Sequence, residues 1–222
     1  MYWKLVTTSV VLGVLIAATL LFAGRSHAQG SSAPQDASRG LLPDERKLVK
    51  SNWKREPVKI NELRVKGSIA EFGRAFREPD DDWLKGFSLN VTNTSNKDIV
   101  YVEVSLTLFG EEERLTPSRT PTSYPVFYGS PEGIFDGSTK AHAIRPNESV
   151  DVSFTDEEYD KFKEYLLDSD YPARFRHVTV QLDTVVFADG TLWYKSYYFY
   201  RDPKNPNNFV RDKYFQKVPS NF

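Results

Sequence analysis

The feature that most constrains the fold is a two-residue alternation of apolar and polar side chains that returns in one segment after another. Its cleanest instance is Val100, Val102, Val104, Leu106 and Leu108, with Glu103, Ser105 and Thr107 opposite. Successive side chains of an extended strand point to opposite faces, so this pattern describes a strand with one apolar and one polar face. Such strands belong to antiparallel sheets that bury one side. Phe87, Leu89 and Val91 repeat the pattern against Ser88, Asn90 and Thr92. Val150, Val152 and Phe154 do so against Ser149, Asp151 and Ser153, and Val178, Val180 and Leu182 against Thr179, Gln181 and Asp183. Val58 and Ile60 also alternate, but Leu63 and Val65 continue with shifted parity, which predicts a bulge or break near Asn61-Glu62.

Local signals connect these strands. Asp189-Gly190 is the residue pair of a tight hairpin turn, followed by an arm, Thr191–Tyr200, with aromatics on both faces. Thr155 and Glu158 form the two halves of a capping box, and Tyr159, Phe162 and Leu166 follow at helical spacing, with Pro172 beyond the end. With a short strand around Tyr124–Tyr128, the expectation is mainly β: an antiparallel two-sheet sandwich of about seven strands with one short helix. The chain has no cysteine, so packing alone must hold this domain together.

The run Leu89-Asn90-Val91-Thr92-Asn93-Thr94-Ser95-Asn96-Lys97-Asp98-Ile99, with the alternating strand after it, resembles immunoglobulin-like β-sandwich domains of exported bacterial envelope proteins. The hairpin Val185-Val186-Phe187-Ala188-Asp189-Gly190-Thr191-Leu192-Trp193 is similar to their closing strands. The resemblance implies a fold and a compartment; the group shares no activity to carry over.

The N-terminus points to the same compartment. Lys4 precedes an uncharged stretch, residues 5–24, whose most apolar part is Val10 to Phe22, and Ser26-His27-Ala28 supplies small residues for cleavage before Gln29. Residues 1–28 are therefore expected to be a hydrophobic helix acting as a signal peptide or, uncleaved, as a membrane anchor. Residues 29–57 read as a flexible tether with a helical turn across Asp44–Val49, 58–200 as the sandwich and 201–222 as a C-terminal extension. The domain would lie outside the cytoplasm, periplasmic or secreted, or held at the inner membrane by residues 5–24.

Chemical signatures are sparse. The net charge of −1 excludes the basic footprint of a nucleic-acid binder. Ser51-Asn52-Trp53-Lys54 matches the S-x-x-K string of penicillin-recognising enzymes without its companion strings and reads as coincidence. Neither a phosphate loop nor a hydrolase elbow is present, and His142 and His177 read as surface residues, the latter on the polar face of its strand. Asp80-Asp81-Asp82, Glu111-Glu112-Glu113 and Asp156-Glu157-Glu158 lack calcium-loop spacing. No catalytic residue, metal site or cofactor is therefore assigned. The segment 110–147, rich in Gly and Pro, is the expected functional region. Tyr124, Phe127, Tyr128 and Phe135 in it, with Trp193 and Tyr197 on the aromatic arm, are the candidate partner contacts. The expectation is an exported, non-catalytic module that binds a protein or glycan or supports an assembly. The alternative is a small extracytoplasmic enzyme using carboxylates or His177.

Overall fold

The alternating segments fold as strands in two sheets, and their apolar faces meet. The computed structural model describes residues 44–110, 122–130, 142–169 and 175–212. In chain order these form β1 (Glu45–Ser51), β2 (Val58–Val65), β3 (Ser68–Ala70), β4 (Ala75–Arg77), β5 (Ser88–Asn93), β6 (Ile99–Gly110), β7 (Thr122–Tyr128) and β8 (Ser149–Ser153). Then come α1 (Asp156–Asp168), β9 (Phe175–Phe187), β10 (Leu192–Tyr194), β11 (Tyr197–Asp202) and β12 (Asn205–Arg211). The protein is mainly β, and the described residues form two sheets with one helix, consistent with a β-sandwich.

The smaller sheet has the order β3-β2-β5-β8. The register of β2 against β5 shifts between Ile60 and Glu62, so the expected bulge falls at Asn61 and keeps Leu63 and Val65 buried. The larger sheet is built on the antiparallel pair β6 and β9, with β7 on the far side of β6. The other edge of β9 is shared. β1 pairs with residues 177–181 and β10 with residues 184–186, so the sheet forks beside Leu182 and Asp183. β4 extends one branch, and β11 and β12 extend the other.

One core fills the space between the sheets. Leu63, Val65, Leu89, Val91 and Val152 from the smaller sheet join Val102, Val104, Leu106, Val180 and Leu182 from the larger. Val150 shares their parity but is only half-buried. The helix closes one end of this core. Its capping box is complete, with Thr155 Oγ1 accepting from the Glu158 amide and the Glu158 carboxylate accepting from the Thr155 amide. Tyr159, Phe162 and Leu166 turn inward, where Phe162 meets Phe154, Phe175 and Tyr124. Trp83, buried beside Phe76 and Phe175, donates its indole N–H to the Phe175 carbonyl at 3.0 Å.

Four expectations need correction. Residues 45–51, placed in the tether with a helical turn, form strand β1 instead. Leu48 is fully buried, and the backbone of β1 pairs with β4 on one side and β9 on the other. That second partner lies far along the chain, so no local pattern announces it. The β1–β9 pair is parallel, whereas the other strand pairs among the described residues are antiparallel. The sandwich does not stop at residue 200, because β11 runs to Asp202 and β12 occupies part of the expected extension. Among the described residues, twelve strands replace the expected seven or so: β1, β3, β4 and β12 are additional, and the arm 191–200 divides into β10 and β11. The apolar segment 5–24 lies outside the described residues; among these, no helix is long and apolar enough to cross a membrane.

Candidate functional site

The outer face of the larger sheet carries a cluster of linked polar side chains, and the fork in β9 organises it. In the β6–β9 pair the register shifts between Glu103 and Val104, so Asp183 is the extra residue opposite them. A bulge of this kind re-aims a side chain. The Asp183 carboxylate accepts the Ser105 hydroxyl at 2.9 Å and the Gln181 amide at 3.4 Å, and it lies 3.3 Å from Lys195 Nζ. Glu103 on the same face accepts the Tyr101 hydroxyl at 2.9 Å. Burial, reinforced by the charge of Asp183 and opposed by the Tyr101 hydrogen bond, raises the Glu103 carboxyl above the ordinary glutamate range. Burial pulls Lys195 down, but Asp183 and Tyr194 outweigh it and hold its ammonium above the ordinary lysine value.

Lys195 comes from an unusual turn. β10 and β11 are joined by two residues, Lys195 and Ser196, and both have positive φ, at 46° and 81°. Asn-Gly is the usual solution for that geometry, and a non-glycine residue in the left-handed region costs about 1–2 kcal/mol. Tertiary contacts offset the cost here. The Lys195 amide donates to the Asp183 carbonyl inside the fork at 3.3 Å, and Ser196 Oγ accepts from the Lys54 amide at 3.1 Å. The turn is therefore tied to β9 and to the segment that follows β1, and Lys195 is held beside the Asp183 carboxylate.

Tyrosines flank this cluster. Tyr194 and Tyr197 face each other across β10 and β11 and are 41% and 43% exposed. Lys195 Nζ sits 5.0 Å from the centre of the Tyr194 ring, and the Arg211 guanidinium 3.6 Å from that of Tyr197. Both rings are thereby held in place by cation–π contacts while keeping open surface.

The residues singled out from sequence divide sharply. Tyr197 is exposed on this face, and Phe127 is half-buried there, stacked on Tyr101 with centroids 6.0 Å apart. Trp193 has no exposed surface: it alternates with Tyr194, so its indole faces the core. It is a packing residue and offers nothing to a partner. Tyr124 packs under α1 against Phe154, Phe162 and Tyr165. Tyr128 donates its hydroxyl to the His142 carbonyl at 2.7 Å and otherwise packs against the core. These two fasten β7 and its neighbours to the body. Phe135 and most of segment 110–147 lie outside the described residues. Tyr194, Glu103 and Asp183 were not singled out; Tyr194 was visible as an alternating aromatic, but the bulge that brings the carboxylates together was not.

His177 also needs correction. Its parity was read properly, but this end of the polar face is not wet. Phe109 stacks on the imidazole at 5.1 Å, and the residue is only 6% exposed. Burial, with a smaller push from Lys47, lowers its pKa to about 4, and Nε2 has no hydrogen-bond partner. His142 is exposed in its loop. In the first acidic triplet each carboxylate has a cation nearby: Asp80 with Lys66, Asp81 with Arg46 and Asp82 with Lys163. Among the described residues, no group of three or more His, Cys, Asp or Glu side chains could hold a metal ion.

No protein-family model matches the chain. No curated protein matches it either. A search of solved structures finds a 1.85 Å X-ray structure of a hypothetical protein from Peptoclostridium difficile 630, 12% identical, which covers 73% of this chain and 98% of its own. The TM-score is 0.31, and at that value the likeness carries no argument about fold or function.

Proposed function

We propose that the protein is an exported module of the cell envelope, an immunoglobulin-like β-sandwich that works by binding a protein or glycan. The observation that carries the reading is the Tyr194–Tyr197 pair: two half-exposed aromatic rings, each steadied by a cation, flanking a turn tied to β9 and to Lys54. Rigid aromatic side chains give large contact area at low entropic cost, which is what a binding surface requires. The binding surface proposed here is the outer face of the larger sheet. Export rests on Lys4, the uncharged stretch 5–24 and Ser26-His27-Ala28. N-terminal sequencing of the protein from cell envelopes tests that half; a chain beginning at Gln29 supports cleavage, and an intact Met1 on membrane-embedded material supports the anchor. Binding is tested by retention of the purified chain on envelope material, which Tyr194→Ser with Tyr197→Ser should abolish. Retention unchanged in that double variant would defeat the reading.

The second reading, a carboxylate enzyme, is favoured by one observation: Glu103 is raised above the ordinary range beside Asp183, as a general acid requires. His177 has little share in it, being buried under Phe109. A turnover on an envelope substrate lost in Glu103→Gln, with folding intact, would favour the enzyme.

A further inference from the structure

The register across the larger sheet places five residues in a single transverse row. Phe127 pairs with Glu103, Glu103 with Thr184, Thr184 with Tyr194, and Tyr194 with Tyr197. Directly opposed residues share a face, and the neighbours of this row along their strands (Val104, Val185 and Trp193) are core residues. The row therefore crosses β7, β6, β9, β10 and β11 on the outer face. Four inter-strand steps span roughly 19 Å at the usual sheet spacing. The row begins and ends on aromatic rings. Between them lie a carboxyl group and a hydroxyl, with Ser105, Gln181 and Asp183 alongside.

Two properties decide what fits such a strip. The first is charge. Asp183 lies against Lys195, Glu103 is the row's own carboxyl, and on the arm Arg211 sits over Tyr197 and Arg201 over Phe209, so both signs are present. The face therefore presents no one-signed field to draw a polyanion or a polycation. The second is the kind of apolar surface. Among the described residues, the exposed large hydrophobic ones are Ile69, Leu167, Tyr194, Tyr197 and Tyr200; both aliphatic ones lie on other elements, β3 and α1. What remains on the arm is tyrosine, whose ring is apolar on its face and polar at its tip. A pyranose chain has the matching surface, with C–H faces to stack on rings and equatorial hydroxyls to pair with carboxyl, amide and hydroxyl groups. Carboxylates accept from such hydroxyls through two oxygens, which suits vicinal pairs.

We infer that the outer face of the larger sheet binds a neutral polysaccharide laid across its strands, with Tyr194 and Tyr197 as stacking platforms and Glu103 and Asp183 as hydroxyl acceptors. The inference rests on the binding-module reading and names the partner class for that same site.

Affinity electrophoresis tests it: the full chain is run in native gels containing hydroxyethyl cellulose, dextran, amylose or laminarin, with alginate as an anionic control. The expected result is retardation by at least one neutral polymer and none by alginate, unchanged between about 0.05 and about 0.5 M salt. Tyr194→Ala and Tyr197→Ala should each weaken binding roughly tenfold or more, as loss of an aromatic anchor does. Glu103→Gln should weaken it less, since the amide keeps one acceptor. Both tyrosines are exposed, so circular dichroism melts should match wild type. Retardation by alginate alone, by no polymer, or equally in the tyrosine variants overturns the inference. If no neutral polymer retards the wild type but a stoichiometric protein partner is lost in Tyr197→Ala, the glycan falls while the binding module stands. If both tyrosine variants keep every envelope interaction, both readings fall.

Discussion

Asn93 is a polar residue without exposed surface, and it offers a sharp test of how the two sheets are joined. It ends β5 in the smaller sheet, and its side-chain amide donates to the carbonyls of Lys97 and Ile144, both at 2.8 Å. Ile144 in turn exchanges backbone hydrogen bonds with Ile99 at the start of β6, so Asn93 ties one sheet to the other. Its oxygen accepts from the Ser95 amide and hydroxyl at 2.9 and 2.7 Å. Asn93→Ala removes two donors from two carbonyls, the Ile144 one in a fully buried bond, and an acceptor from Ser95. Both carbonyls keep another donor, the Ser95 hydroxyl at 3.1 Å for Lys97 and the Ile99 amide at 2.9 Å for Ile144, so the loss is that of the hydrogen bonds themselves. At about 0.5–1.5 kcal/mol for each bond, discounted because Ser95 can turn to water, the cost should be about 2–4 kcal/mol. Asn93→Asp keeps shape and acceptor but points a carboxylate oxygen at the same two carbonyls. Its folded pKa should rise above the unfolded value near 3.9, because burial and carbonyl dipoles favour the protonated acid, which can donate one hydrogen bond. Between those two pKa values the folded state binds more protons than the unfolded state. Stability relative to wild type should therefore fall as pH rises through that window and be lowest at neutral pH. Urea denaturation of wild type and both variants at pH 7 and pH 5 measures this, through the midpoint at constant m-value. If Asn93→Asp matches wild type at pH 7, or its deficit does not shrink on acidification, the proposed donor role is refuted.

Three other outcomes follow from the same structure. His177 has a folded pKa of about 4 against 6.5 unfolded, so the unfolded state binds the extra proton in between; stability is full above pH 6.5 and falls by up to about 3 kcal/mol as pH drops to 4. His177→Phe, which keeps a ring on Phe109, should flatten that part of the denaturation profile, and an unchanged acid limb would exclude His177 as its source. Gly129 has φ +89°, and a Cβ there would lie 2.4 Å from the Val100 carbonyl oxygen, so Gly129→Ala must displace β6 or β7; a loss of about 3 kcal/mol or more is expected, and a melt within a degree or two of wild type would contradict it. Val104→Asp buries an unpaired charge in the fully enclosed core and should cost at least about 3 kcal/mol by urea titration, whereas a neutral effect would reverse the face assigned to β6.

What the sequence made legible was whatever is encoded within a few residues. Alternation identified β5, β6, β8 and β9 together with their inner faces. Broken parity located the Asn61 bulge, Asp189-Gly190 marked the hairpin, and Thr155 with Glu158 marked the helix start. Each of these depends on neighbours in the chain. β1 was missed for the opposite reason: Glu45–Ser51 is charged and carries little apolar surface, and it becomes a strand because β9 and β4 supply hydrogen bonds on both sides. Trp83, central to the core, sits among aspartates and has no periodic neighbours to announce it.

The candidate site shows the same division more strongly. The aromatic arm was visible as composition, but which rings face outward depends on where the arm turns. Lys195-Ser196 lacks the glycine, asparagine or aspartate that a turn with two positive φ angles favours, so the local signal for a two-residue turn is weak; the contacts from Asp183 and Lys54 hold it there. Once that turn is fixed, Trp193 must face the core, and Tyr194 and Tyr197 must pair on the other side. Gathering Glu103 and Asp183 needs the extra residue in the β6–β9 register, a feature of two strands that neither strand states alone. The strain in the turn and the bulge in β9 occupy the same few residues beside the fork. Two departures from regular sheet geometry at one place bring Lys195 and Asp183 together beside the exposed Tyr194 and Tyr197.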